Sequence, residues 1–155
     1  MPLPELDNLV RIGKLKAEPS ATSELAGLLH SGSVRLADAQ RVELSAESRF
    51  DLAYNAAHAF SLAALRWHGY RSENRYLVFQ SLTHTLNLPS VQWRVLDDAH
   101  RKRNLAEYEG DIEVDEAVLN ALLRVTSEVA ERVRALLNIE PEELQAKFER
   151  LQAEK

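Results

Sequence analysis

SAESRFDLAYNAAHAFSLAALRWHG, residues 45–69, is the stretch on which the fold turns. Phe50, Ala53, Ala57, Phe60, Ala64 and Trp67 recur at spacings of three and four, the period that gathers side chains on one face of an α-helix. That stripe is the expected core seam. Ser45 is of the type that caps a helix N-terminus, and Gly69 is of the type that follows a helix end. Ala56, Ala59 and Ala63 leave a second face with little bulk, against which a neighbouring helix can pack closely. A helix with two such faces belongs at the centre of a bundle.

The flanking sequence repeats the helical period and offers little to a strand. No Asn-Gly or Asp-Gly hairpin dipeptide occurs, and β-branched residues are scattered. Asp7 to Lys16 reads as a short helix stopped at Glu18-Pro19-Ser20. Ser23 to about Arg41 reads as helical with a break expected at Ser31-Gly32-Ser33. Asn74 to Leu86 predicts another helix, and Ser90 is the expected cap of a helix reaching about Tyr108, broken by Glu109-Gly110-Asp111. Asp115 is the expected cap of a long helix to about Asn138, with Val118, Leu122, Val125, Val129, Val133 and Leu136 on one stripe. A last helix is expected after Pro141, polar except for Leu144, Phe148 and Leu151. The fold class is therefore all-α: an up-and-down four-helix-bundle core with additional short flanking helices, with Ala53, Ala57, Phe60, Ala64, Leu122, Val125 and Val129 inside it.

Composition agrees with one globular domain. The chain has 155 residues, 45% hydrophobic and 28% charged, with five Gly and five Pro and no repeat or low-complexity tract. There is no Cys, which removes disulfides, thiolate nucleophiles and Cys-ligated zinc. Nineteen basic against 24 acidic residues give a formal net charge of −5, which argues against a general coat for nucleic acid but allows a local basic patch. No apolar run approaches the roughly 20 residues of a membrane helix. The N-terminus MPLPELDNLVR lacks the basic-then-apolar order of a signal peptide, so a soluble cytoplasmic protein is expected.

The histidines, His30, His58, His68, His84 and His100, form no helical zinc motif, and no Glu-x-x-His pair suits a di-iron site. No metal or cofactor is expected. His58 reads as a hydrogen-bonded core or boundary histidine. Phosphate-binding glycine loops and a nucleophile elbow are absent. The sharpest charge feature is His100-Arg101-Lys102-Arg103, followed by six acids between Glu107 and Glu116. Two readings stay open. Cations at a helix end and acids at the next helix start suit the helix dipole, and the same run is suited to an anion. On a continuing helix Arg101, Asn104 and Tyr108 share one face, and Arg103 points away from it unless the helix loosens. A converging Arg, Asn and Tyr would suit a phosphate or a base edge, or an interhelical network.

The segment RKRNLAEYEGD, residues 101–111, resembles the signature of the HEPN superfamily of small α-helical bundle proteins. Upstream, Phe50 to His58 resembles the family's long first core helix. Tyr70-Arg71-Ser72-Glu73 and Tyr76 to Leu82 resemble its loop and second helix. The likeness covers about residues 45–137, between an N-terminal helical extension at 1–44 and a C-terminal helix at 138–155. The resemblance implies a four-helix up-and-down core, often dimeric, and active members similar to metal-independent endoribonucleases. Their motif is an Arg, a polar residue and, four to six residues on, a His. Arg103-Asn104 matches the pair, and Tyr108 stands where the His is expected, whether counted from Asn104 or from Arg101. The motif set carried over is Arg103, Asn104 and Tyr108 in degenerate form, with His100 and Arg101 beside it as ligand-binding residues.

Histidine activates a ribose hydroxyl because its pKa lies near neutrality, whereas tyrosine, at about 10, is a poor base there. The set is thus better suited to binding than to turnover. Three functions follow as expectations: an RNA- or nucleotide-binding protein, toxin-like in descent, with weak or no ribonuclease activity; a non-catalytic interaction or dimerisation module; or an active endoribonuclease in which His100 or a histidine from another helix replaces the missing one. The expected partners are RNA or a nucleotide, a nucleotidyltransferase-like antitoxin, and a second copy in a homodimer.

Overall fold

The computed structural model describes residues 3–110, 113–138 and 153. Among them the chain runs α1 (Pro4–Arg11), β1 (Lys16–Ala17), α2 (Thr22–Ala39), α3 (Ala46–Trp67), β2 (Tyr70–Arg71), α4 (Arg75–Gln80), α5 (Leu82–Thr85), α6 (Ser90–Glu109) and α7 (Glu116–Leu137). The protein is all-α, its strands reduced to one two-residue antiparallel ribbon in which Lys16 faces Arg71 and Ala17 faces Tyr70.

The four long helices, α2, α3, α6 and α7, form the bundle. Their directions follow from cross-helix bonds. Arg49 donates to the Ala39 carbonyl at 2.8 Å and Arg66 to Glu24 at 2.9 Å, so α2 and α3 are antiparallel. Arg103 pairs with Asp51 and His100 with Tyr54, so α6 is antiparallel to α3. Lys102 reaches the Glu113 carbonyl while Arg132 reaches those of Leu86 and Asn87, so α7 is antiparallel to α6. The order is up, down, up, down, with short α4 and α5 filling the turn between α3 and α6. Residues 22–39, outside the span of the family likeness, therefore supply one of the four long helices.

The end signals act where the sequence placed most of them. The Ser45 hydroxyl accepts from the Ser48 amide at 3.1 Å, the Asp115 carboxylate accepts from the Val118 amide at 2.8 Å, and Gly110 closes α6 in the left-handed region at φ 74°. Ala53, Ala57, Phe60, Ala64, Leu122, Val125 and Val129 are all buried. Five expectations are corrected. Trp67 is 40% exposed, because it ends α3 beyond the packed part of the stripe and lies edge-on to His68. The first helix ends at Arg11, and Lys16 is in the ribbon. Asn74 to Leu86 is two short helices, the first capped by the Asn74 side chain on the Leu77 amide. Pro89, not Ser90, is the residue before α6.

The fifth correction is Gly32. α2 passes through Ser31-Gly32-Ser33 unbroken, because the glycine answers to a tertiary contact. A Cβ there would lie 2.9 Å from the Phe60 ring, so glycine lets α2 lie close against α3.

A second, smaller core gathers Leu6, Leu15, Leu65, Tyr70 and Val78, and the Tyr70 hydroxyl donates to Asp7. The final helix expected after Pro141, with Leu144, Phe148 and Leu151, lies outside the described residues. Among the described residues no helix is long and apolar enough to cross a membrane.

Candidate functional site

The polar stripe of α3 meets the polar stripe of α6. Asp51, Tyr54, Asn55 and His58 recur at three and four along α3, and His100, Arg103, Asn104 and Glu107 do the same along α6. The antiparallel crossing sets them opposite one another, and Arg75 at the start of α4 closes a third side.

Tyr54 is the centre. Its ring is fully buried, edge-on to Phe79 with centroids 5.7 Å apart. Two guanidinium groups lie over it, that of Arg103 at 5.0 Å from the ring centroid and that of Arg75 at 5.3 Å. The Tyr54 hydroxyl lies 2.9 Å from Nδ1 of His100, and the Asn104 amide nitrogen lies 3.2 Å from Nε2 of the same ring. With that amide donating to Nε2, the assigned tautomer carries its proton on Nδ1, which donates to the Tyr54 hydroxyl oxygen. Arg103 is further held by Asp51 at 3.2 Å and Glu107 at 3.1 Å, both exposed carboxylates. Arg75 donates to Asn55 Oδ1 at 3.0 Å and makes no ion pair among the described residues.

Burial favours the neutral form of both histidines. Burial pushes His58 down to about 4, with the nearby charges of Arg75 and His100 adding to it. Burial also lowers His100, against the opposing pull of Asp97, with Arg75 and Arg103 lowering it further. The folded pKa of His58 lies below its ordinary value of 6.5, so the unfolded chain takes up the proton first. Stability is therefore full above about pH 6.5 and falls as pH drops towards 4, by at most about 1.4 kcal/mol per pH unit from this group. His58→Gln should flatten that acid limb of a urea-denaturation series. An unchanged limb would show that His58 is not the group responsible.

Of the residues singled out in the sequence, His100, Arg103 and Asn104 come together, on one unbroken face of α6. The loosening before Tyr108 that would bring Arg103 round to it does not occur, since α6 is continuous to Glu109. Arg101 pairs with Asp97 one turn back along the same helix and is largely exposed. Tyr108 is 91% exposed, and Asn104 turns to His100 instead of to it. Sequence reasoning missed Tyr54 and Arg75 as site residues. The polar spacing Asp51, Tyr54, Asn55, His58 in an otherwise apolar helix was the available signal for the first. Arg75 had none.

Among the described residues no group of three or more His, Asp or Glu side chains is placed to hold a metal ion. The arrangement is one of hydrogen-bond donors and cations around an aromatic ring, chemistry suited to a planar or anionic group. Comparison with protein-family models, curated proteins and solved structures finds no match.

Proposed function

We propose that this chain is a HEPN-like bundle protein that binds RNA or a nucleotide through the α3–α6 face, with weak or no ribonuclease activity. The observation that carries the reading is the stacking of Arg103 on the buried Tyr54 ring, with His100 and Asn104 on the same face of α6. The guanidinium is held in place before any ligand arrives, which lowers the ordering cost of binding. Arg75, with no carboxylate of its own among the described residues, adds a second cation over the same ring. A phosphate would compete with Asp51 and Glu107 for Arg103, and exposed pairs of that kind are worth only about 0–1 kcal/mol each. The ligand thus replaces weak partners with a charge-assisted bond in a half-buried setting.

A specific observation favours one alternative, an active endoribonuclease. His100 lies one turn from Arg103, and burial favours its neutral form, the form a general base requires. Against it, both ring nitrogens are already engaged, by Tyr54 and by Asn104. The same resemblance suggests a homodimer and a nucleotidyltransferase-like antitoxin as partners, with the two Arg103-Asn104 sites of a symmetric dimer facing one composite cleft. The non-catalytic interaction module is what remains if no ligand binds.

The test is fluorescence anisotropy with a labelled single-stranded RNA, competed with ATP and followed against salt. Arg103→Ala is expected to weaken binding by roughly 1.5–3 kcal/mol, a loss of about 10- to 150-fold. Because Arg103 packs on Tyr54, the same change should also cost a few tenths to about 1 kcal/mol of stability. Equal affinity in parent and variant, or no binding by either, would sink the binding reading. RNA cleavage by the parent that is lost in His100→Ala would establish the endoribonuclease instead.

A further inference from the structure

The seam between α4 and α6 carries an aromatic pair that the cation site around Tyr54 does not use. Tyr76 stands edge-on to Trp93, with ring centroids 6.1 Å apart and planes at 73°. Trp93 is the anchored half, partly buried and packed against the main core. Tyr76 is the open half, 39% exposed. We propose that this pair is a stacking platform for an unpaired base, so that the ligand of the neighbouring cations is single-stranded RNA and not a duplex. The proposal rests on the reading of the α3–α6 face given above and adds to it the class of strand that the face takes.

Three observations put the platform beside the cations. The first is adjacency. Arg75 and Tyr76 are consecutive on α4, and neighbours on a helix point apart. Arg75 turns to the Tyr54 ring and to Asn55, and Tyr76 turns to Trp93. A phosphate held by Arg75 thus has an aromatic ring on the next residue, within reach of a base on the same strand.

The second is a shared side of α6. Trp93, Asp97, His100 and Asn104 recur at spacings of four, three and four, so they lie along one side of the helix. Trp93 is about 10 Å along the axis from His100. α4 follows that same side, since Phe79 meets His100 at 6.4 Å between centroids just as Tyr76 meets Trp93.

The third is charge. Arg94, exposed, follows Trp93 in the chain, and Arg101 is exposed one turn beyond Asp97. Asp97 is the one acid among those four positions of α6, and it is buried and paired with Arg101. No exposed carboxylate therefore stands between Trp93 and Asn104 on that side. Cations that track a backbone beside aromatic faces that take bases are the two parts of a single-strand site. A base in a duplex has both faces covered by its neighbours and cannot use the second part.

The test uses the full chain. Trp67→Phe leaves Trp93 as its one tryptophan, since the sequence has two. An oligouridylate of about ten nucleotides is expected to quench Trp93 emission saturably, in step with the anisotropy of the labelled strand. Tyr76→Ala should weaken its binding about 5- to 150-fold, the effect of losing one stacked base. Tyr76→Phe should bind like the parent, because it keeps the ring. The same strand annealed to oligoadenylate should bind more weakly and leave Trp93 emission unchanged. Binding that Arg103→Ala weakens but Tyr76→Ala does not, with Trp93 emission constant, would overturn the platform and leave the cation site standing. Equal affinity for strand and duplex would overturn it too. No binding by the parent would overturn the platform and the binding reading together.

Discussion

Replacing Arg66 by methionine is expected to cost about 3–5 kcal/mol of folding stability, a large share of the roughly 5–15 kcal/mol that holds a domain together. Arg66 is 3% exposed on the last turn of α3, and its guanidinium is fully used. Nε and Nη2 donate to the two oxygens of Glu24 at 2.9 and 3.0 Å. Nη1 donates to the carbonyls of Glu18 at 2.8 Å and Tyr70 at 3.3 Å, and Nη2 to that of Pro19 at 3.1 Å. Methionine replaces the stem but leaves three carbonyls and a carboxylate without their donor. Lysine is not expected to rescue it, because one ammonium cannot reproduce a planar fork with five donors. The hydrogen bond from Arg66 holds the Glu24 carboxyl below its ordinary 4.5, so part of the contribution is present above that pH and lost below it. Urea denaturation at neutral pH checks the result. The midpoint should fall with little change in slope, and a midpoint equal to the parent's would show the network to be dispensable.

Tyr54→Ala should be comparably costly, about 3–5 kcal/mol, since it removes a fully buried ring from the main core. It also removes the surface on which Arg75 and Arg103 lie. Tyr54→Phe separates the two roles of the residue. Phenylalanine keeps the ring and both guanidinium contacts and loses only the hydroxyl bonded to His100, worth about 1 kcal/mol. If stacking presents the cations to an anionic ligand, Tyr54→Phe should keep RNA affinity within about threefold of the parent, because less than 1 kcal/mol is at stake. Tyr54→Ala should lose most of it even under conditions where it is folded. A phenylalanine variant as defective in binding as the alanine one would place the determinant at the Tyr54–His100 bond instead.

Much of the fold was legible because its signals are local. Ser45, Asp115 and Gly110 act within their own helix ends, and the apolar stripes of α3 and α7 record which side of each helix is dry. Gly32 was misread for the opposite reason. Its meaning lies in Phe60, on another helix, and the local rule for an isolated glycine suggested a break where α2 is straight. Trp67 obeys the helical period but sits past the end of the packed seam, a fact set by where the neighbouring helices stop. The candidate site was half legible. His100, Arg103 and Asn104 are close in sequence and share a face, so a motif finds them. Tyr54 and Arg75 join them only through the crossing of α3, α4 and α6, and no spacing within the chain encodes that crossing.

The ribbon of Lys16–Ala17 with Tyr70–Arg71 gives the molecule a clasp. Each long helix is joined to a neighbour by a connection that leaves little chain to order, so the bundle can assemble from local hairpins. The ribbon instead joins segments on either side of the whole α2–α3 hairpin, and it has only two residues per strand to offset that closure. What it fastens is the small core around Leu6, Leu15 and Tyr70, which is separate from the main one. The chain before α2 is therefore fastened by that small cluster, by the ribbon and by the contacts of Arg66 with Glu18 and Pro19, and contributes no buried residue to the main core.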